Sequence, residues 1–144
     1  KSLSSQVRVT FLGLSEDACY KAKIDRAKDH LSKHVSVELL GSVQHVAKYL
    51  YDPDVFIMPS KQEAFGMSAI EAAAAGLPIL ANDIPTLAYL KVLDGVKLLS
   101  KNETSKWSLS MEQSRGRSYF RNLDEFDVKS CSLKYLQLAW KLIH

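Results

Sequence analysis

Residues 54–83 read DVFIMPSKQEAFGMSAIEAAAAGLPILAND, and the fold turns on this stretch. Residues 54–60 are short, nearly all apolar and closed by Pro-Ser, the pattern of a central strand covered on both faces. The spacing then predicts a helix over residues 66–75. Gly76 suits the left-handed position just past a helix, and Pro78 cannot extend it. The alanine run 72–75 lets that helix lie close to a sheet, with Ile70, Ala73, Ala74 and Leu77 recurring at helical spacing. Residues 78–83, PILAND, form the next strand.

The alternation continues in both directions. VRVTFLGL (7–14) reads as a buried strand ending in glycine. Residues 16–33 are a charged amphipathic helix with Ala18, Ala22, Ala27 and Leu31 toward the core. VSVELLG (35–41) is a second strand, and VAKYLYD (46–52) a short helix ended near Pro53. Pro85 starts another short helix, PTLAYLK, before the strand GVKLLS (95–100). Beyond residue 101 the pattern is helical: ETSKWSLSMEQSR, a basic RGRSYFRN and a final amphipathic SLKYLQLAWKLI. Short strands alternating with helices predict an α/β fold, a Rossmann-like parallel sheet of about five strands flanked by helices.

The 144 residues suit one domain with a real core. The net charge of +3 is too small to indicate nucleic acid. Charge is uneven: residues 51–100 hold three Lys/Arg against six Asp/Glu, so the middle is acidic between two basic ends. No apolar run reaches the roughly 20 residues of a membrane span. Cys19 and Cys131 lie far apart without metal-type spacing, which fits free thiols in a reducing cytoplasm. His30, His34, His45 and His144 form no ligand or catalytic spacing. Trp107, Tyr135 and Trp140 read as packing anchors for the C-terminal helices.

Ligands of open parallel sheets bind beyond the carboxyl ends of the strands. Residues 54–60 carry the chain to that edge, the loop 61–65 places Glu63 there, and Gly66, Met67 and Ser68 open the helix beside it. A helix N-terminus offers unpaired N–H groups and a positive charge of about half a unit, which suits a phosphate. Gly66, lacking a Cβ, lets an anion approach the backbone, and Ser68 adds a hydroxyl. Glu71 lies about 7 Å further along the axis at 1.5 Å per residue. A carboxylate there repels phosphate but accepts from two neighbouring hydroxyls, as in a ribose, and Glu63 suits sugar hydroxyls likewise. Phosphate, ribose and a second sugar describe a nucleotide-sugar, bound where the two acids and the amides converge on one cavity at the rim. Spacing alone leaves the plain readings open: Glu63 as a loop surface residue, Glu71 as an exposed helix residue, and Lys61 as a surface lysine.

The stretch also resembles the signature of the retaining GT-B glycosyltransferases of group 1 (GT4-type). The shared pattern is an apolar strand, Pro-Ser, Glu, Phe-Gly, Glu-Ala, then Gly-x-Pro before a strand, with Glu63 and Glu71 at the E-x7-E positions. VTFLG and VELLGSV resemble the two preceding strands of that family's donor-binding domain. The likeness covers about residues 7–100, and the tail fits only loosely. Ala64 stands where the family commonly has Gly.

The resemblance implies one half of a GT-B fold, with residues 1–144 a single donor-binding domain. It implies a catalytic Glu63 facing the transferred sugar. Phe65, Gly66, Met67 and Ser68 present backbone groups to the sugar and diphosphate, and Glu71 holds the ribose hydroxyls. Gly41, Ser42 and Val43 lie near the base, and Gly13 borders the donor cleft. It implies retention without metal or cofactor, and a nucleotide-sugar donor, with a UDP-sugar foremost. An acceptor domain, and a strand–helix unit carrying an Arg and a Lys for the diphosphate, are expected upstream of Lys1. The acceptor is then a carbohydrate or a lipid-linked one, in polysaccharide, capsule or glycolipid synthesis, in the cytoplasm or peripherally at the inner face of the membrane. Two other readings stay open: a Rossmann-like nucleotide or sugar-phosphate binding module without transfer activity, and an interaction domain docking a partner or membrane through Arg115, Arg117 and Arg121. A solvated helix face is the plain account of those arginines.

Overall fold

Every strand pair is parallel, and the strands fall into two sheets rather than one. The computed structural model describes residues 6–13 and 18–119. The chain divides into two units, residues 1–48 and 49–144.

In the first unit, β1 (Val7–Phe11) pairs with β2 (Val35–Leu39) across α1 (Ala18–Lys28), in the register Val7 to Val35 through Phe11 to Leu39. The pairing is extended at both ends. Val7 N–H donates to the His34 carbonyl at 2.8 Å, and Leu40 N–H to that of Phe11 at 2.9 Å. β1 is not the buried strand its sequence suggests. Val7 and Val9 are half-buried while Arg8, Thr10 and Phe11 are exposed, as the valine–polar alternation dictates for a strand with one wet face. The inner face of α1 also differs from expectation. Ala22 and Ala27 are exposed, as is Leu31 beyond its end, whereas Ile24 and Lys28 are half-buried. Ile24 is the one large aliphatic side chain of this helix, and Lys28, one turn on, lays its stem along the same face.

In the second unit the order is β3 (Phe56–Met58), β4 (Ile79–Asn82), β5 (Val96–Leu99), with β4 in the middle. All four residues of β4 are buried, whereas Ile57 of β3 is 37% exposed. The central, doubly covered strand is therefore β4, and β3 stands at an edge of this sheet. Between β3 and β4 runs α2 (Met67–Ala74), and between β4 and β5 the 3-10 helix Pro85–Val92. A second, shorter 3-10 turn covers Val46–Tyr49, and α3 (Thr104–Ser114) follows β5.

The core of this unit forms around α2 and β4. Ala69, Ala72 and Ala73 are buried, Ile70 is half-buried and Ala74 is exposed, so the inner stripe lies one residue earlier than the expected Ala73–Ala74 pairing. Methyl side chains on that stripe let the helix sit close to a strand whose own Ile79, Leu80 and Ala81 have no exposure. The helix stops as its sequence requires. Gly76 has φ 80°, its N–H donates to Ala73, and the Leu77 N–H donates to Ala72, which is the paired-bond cap with glycine in the left-handed position. Behind β5, Trp107 on α3 is half-buried and its indole N–H donates to the Ser100 carbonyl at 2.9 Å, in keeping with an anchoring role. The expected last helix, with Cys131, Tyr135 and Trp140, lies outside the described residues, as do Arg121 and His144.

Replacing Ile79, fully buried in the central strand, by Ala is expected to cost about 2–5 kcal/mol through lost burial and a cavity. Val92→Ala, at a site 75% exposed, should stay within about 0.5 kcal/mol. Urea midpoints of the two variants check the contrast; equal effects would contradict the placement of β4.

Candidate functional site

The chain leaves β3 at the buried Met58 and must enter α2 within eight residues. Gly66 makes the turn. It is the N-cap of α2, with φ 74° and ψ 43°, and its carbonyl accepts from the Ala69 N–H at 2.9 Å. A Cβ built on Gly66 would meet Leu87 Cδ2 at 2.7 Å, with the Tyr89 hydroxyl at 3.6 Å and Met58 Sδ at 3.8 Å. Both the backbone angle and the packing therefore demand glycine. This corrects the expectation that the missing Cβ makes room for an anion: Leu87 fills that space. With no side chain at the cap, no side-chain hydrogen bond closes this helix N-terminus, which begins with Met67 and Ser68.

Tyr89 organises the loop before Gly66. Its ring stacks on Phe65, with centroids 5.1 Å apart and planes 14° from parallel. Its hydroxyl donates to the Phe65 carbonyl. Burial raises the Tyr89 pKa above 10.0, and the Glu63 carboxylate raises it further, which places that acid within Tyr89's field. The sequence reading missed Tyr89, since nothing in PTLAYLK distinguishes this tyrosine from an ordinary surface one.

Glu63 is half-buried, and Phe65, Met67, Ser68 and Glu71 are exposed. Ser68 and Glu71, three residues apart, share the outer face of α2. The remaining expected site residues belong to the other unit. There the Gly13 N–H donates to the Gly41 carbonyl at 3.1 Å, which joins the two strand-end glycines. A Cβ on either would meet nothing within 4 Å, so both present open backbone. Ser42 is exposed and Val43 half-buried.

A cavity of about 210 Å³ opens beyond the carboxyl ends of β3, β4 and β5, lined by Lys61, Asn82, Asp83, Ile84, Ser100 and Lys101. Neither Glu63 nor Glu71 lines it. Asn82 is buried and its Nδ2 donates to the Ser60 carbonyl at 3.1 Å, tying the ends of β3 and β4 together. Asp83 pairs with Lys91 at 3.3 Å. The sequence places the strand ends and Lys61 at this edge but gives no signal for Asn82, Ser100 or Lys101. Of the basic segment, Arg115 lies 3.9 Å from Asp54 Oδ2, whose Oδ1 accepts from the Gly116 N–H, and Arg117 is exposed. Among the described residues no three His, Cys, Asp or Glu side chains gather as a metal site, and no helix is long and apolar enough to cross a membrane.

Tyr89 gives a pH-dependent handle. Its folded pKa lies above the unfolded one, so its contribution to stability is complete below pH 10.0 and is lost as pH rises through the folded value. Tyrosinate absorbance, taken as the difference from Tyr89→Phe, should show Tyr89 titrating above pH 10.0. Glu63→Gln should bring its midpoint down only part of the way, because burial persists; an unchanged midpoint would separate the two residues.

Comparison with known proteins follows the same segments. The model of the family described as Glycosyl transferases group 1 matches residues 1–108. An O-antigen biosynthesis glycosyltransferase of Escherichia coli is 31% identical over 57 residues, covering 40% of this chain and 16% of that protein. An N,N'-diacetylbacillosaminyl-diphospho-undecaprenol alpha-1,3-N-acetylgalactosaminyltransferase of Campylobacter jejuni is 26% identical over 118 residues, 75% of this chain and 31% of that protein. An exopolysaccharide phosphotransferase of Streptomyces coelicolor is 46% identical over 57 residues, 39% of this chain and 6% of that protein. The chain thus spans less than a third of the length of each of these relatives. With the family model covering most of the chain, the chain belongs to the group 1 glycosyl transferases.

Proposed function

We propose that the protein transfers a sugar from a nucleotide-sugar to a carbohydrate or lipid-linked acceptor in surface polysaccharide or glycolipid synthesis, with retention of configuration and without a metal ion. In this reading residues 1–144 supply the donor-binding half. The observation that carries it is the braced loop at residues 63–66. Phe65 is held against Tyr89, two residues after the half-buried Glu63 and beside a helix N-terminus that no side chain caps.

The roles follow from where charge develops. As the glycosidic bond breaks, the departing diphosphate gains negative charge on oxygen, and the amides of Gly66, Met67 and Ser68 at the start of α2 stabilise it. The sugar gains positive character, which a carboxylate at Glu63 favours while it orients the sugar hydroxyls. Glu71, on the outer face of α2, accepts from the ribose hydroxyls. The open backbone at Gly13 and Gly41, with Ser42 and Val43, supports their assignment to the cleft border and the base. A UDP-sugar is the first donor to test.

The test uses the intact protein with UDP, GDP and ADP and their sugars. One nucleotide family should raise the melting temperature, and Glu71→Ala should abolish the shift. Glu63→Ala should keep nucleotide binding yet lower sugar transfer by about a hundredfold or more, the scale for losing one preorganised electrostatic group. Stabilisation by nucleotide with no transfer to any acceptor would instead make this a binding module. Formation of a phosphate-bridged sugar on the acceptor, with a nucleoside monophosphate leaving, in place of a glycoside would align it with the Streptomyces relative.

A further inference from the structure

We infer that the cavity beyond β3, β4 and β5 is a binding subsite for a phosphorylated sugar, with Lys61 and Lys101 taking the phosphate and Asn82 a hydroxyl. Asn82 is only 5% exposed, and its Nδ2 is committed to the Ser60 carbonyl at 3.1 Å. The side chain is thereby fixed, and its Oδ1 has no described donor. No fully buried side-chain oxygen among the described residues lacks a partner, so that Oδ1 is open to the cavity Asn82 lines. It is an acceptor in want of an O–H or N–H.

The charges point to the other end of the ligand. Lys61 and Lys101 form no ion pair with a described residue, whereas Asp83 is balanced by Lys91 at 3.3 Å. The lining therefore carries two uncompensated ammonium groups, six N–H donors without an acceptor among the described residues. Ser100 Oγ accepts from the Asn102 N–H at 3.5 Å, which leaves its own proton to donate. An anion held by ammonium groups together with a hydroxyl held by an amide oxygen is the chemistry of a sugar phosphate. The size agrees: about 210 Å³ is below the roughly 300–1,000 Å³ of sites that enclose a whole drug-sized ligand, so one phosphate with its adjoining hydroxyls fits better than an entire nucleotide-sugar.

The inference concerns this cavity alone and does not rest on sugar transfer, so loss of activity in a Glu63 variant leaves it untouched. The probe is glucose 1-phosphate, titrated into the intact ¹⁵N-labelled protein. The Asn82 side-chain amide and the backbone amides of Asp83, Ser100 and Lys101 should shift together. Inorganic phosphate and glucose, each alone, should bind more weakly. Lys61→Gln and Lys101→Gln, both at exposed positions that should fold normally, should each weaken binding about threefold to tenfold, the scale of one partly solvated charge contact. Saturating UDP tells the source of the anion. If glucose 1-phosphate still binds, the site takes a separate sugar phosphate; if UDP displaces it, the site takes a phosphate of the nucleotide. No shift at these amides, equal affinity for plain glucose, or unchanged affinity in the double lysine variant overturns the assignment.

Discussion

The left-handed turn at Gly66, packed against Leu87, is the constraint on which the rest of the site depends. A side chain there would have to leave the αR and β regions at a cost of about 1–2 kcal/mol, and its first carbon would collide with Leu87 Cδ2. Because Gly66 has neither problem, α2 can begin immediately after the β3 loop. Its alanine stripe then settles on β4, and the 3-10 helix that carries Leu87 closes over the turn. Two residues further along that helix, Tyr89 reaches Phe65 with both its ring and its hydroxyl. One short segment thus braces the end of the loop at two adjacent residues, at Gly66 by volume and at Phe65 by stacking and hydrogen bonding.

The composition of α2 follows from the same geometry. A close helix–strand approach requires methyls inward, which leaves chemistry only to the outer face, and Ser68 and Glu71 are the polar side chains of this helix. At the carboxyl ends of β3, β4 and β5, Lys61, Asn82 and Lys101 line one cavity. The β3–α2 loop is shared between the two regions: Lys61 lines the cavity, and Phe65, four residues on, stacks on Tyr89. Parallel strands make such sharing unavoidable, because all their carboxyl ends arrive at one rim.

What the sequence disclosed was local. Strand and helix positions followed from periodicity, and the end of α2 from Gly76 and Pro78, whose effect is felt within one turn. What it concealed was tertiary. FIM and ILA are equally apolar, so nothing in the residues said that β4 rather than β3 would lie in the middle. Ala22 and Ala27 of α1 lost the inner face to Ile24, a choice made by packing and not by spacing. The partner of Gly66 lies 21 residues downstream, and that of Phe65 is 24 residues away. Glycine at position 66 was read for what its missing Cβ could admit from solvent, when the fold had already filled that space.

The arrangement also settles how Glu63 and Tyr89 can interact. A phenol has one proton, and that of Tyr89 is directed to the Phe65 carbonyl. It cannot also be given to Glu63, so the carboxylate acts on Tyr89 through charge, which is why its proximity makes the phenol harder to ionise. Tyr89 therefore serves the loop twice, its ring stacking on Phe65 and its proton given to the Phe65 carbonyl. Because both contacts are to one residue, the backbone just before Gly66 is fixed in position and in orientation, which is what a loop that must present groups to a ligand requires.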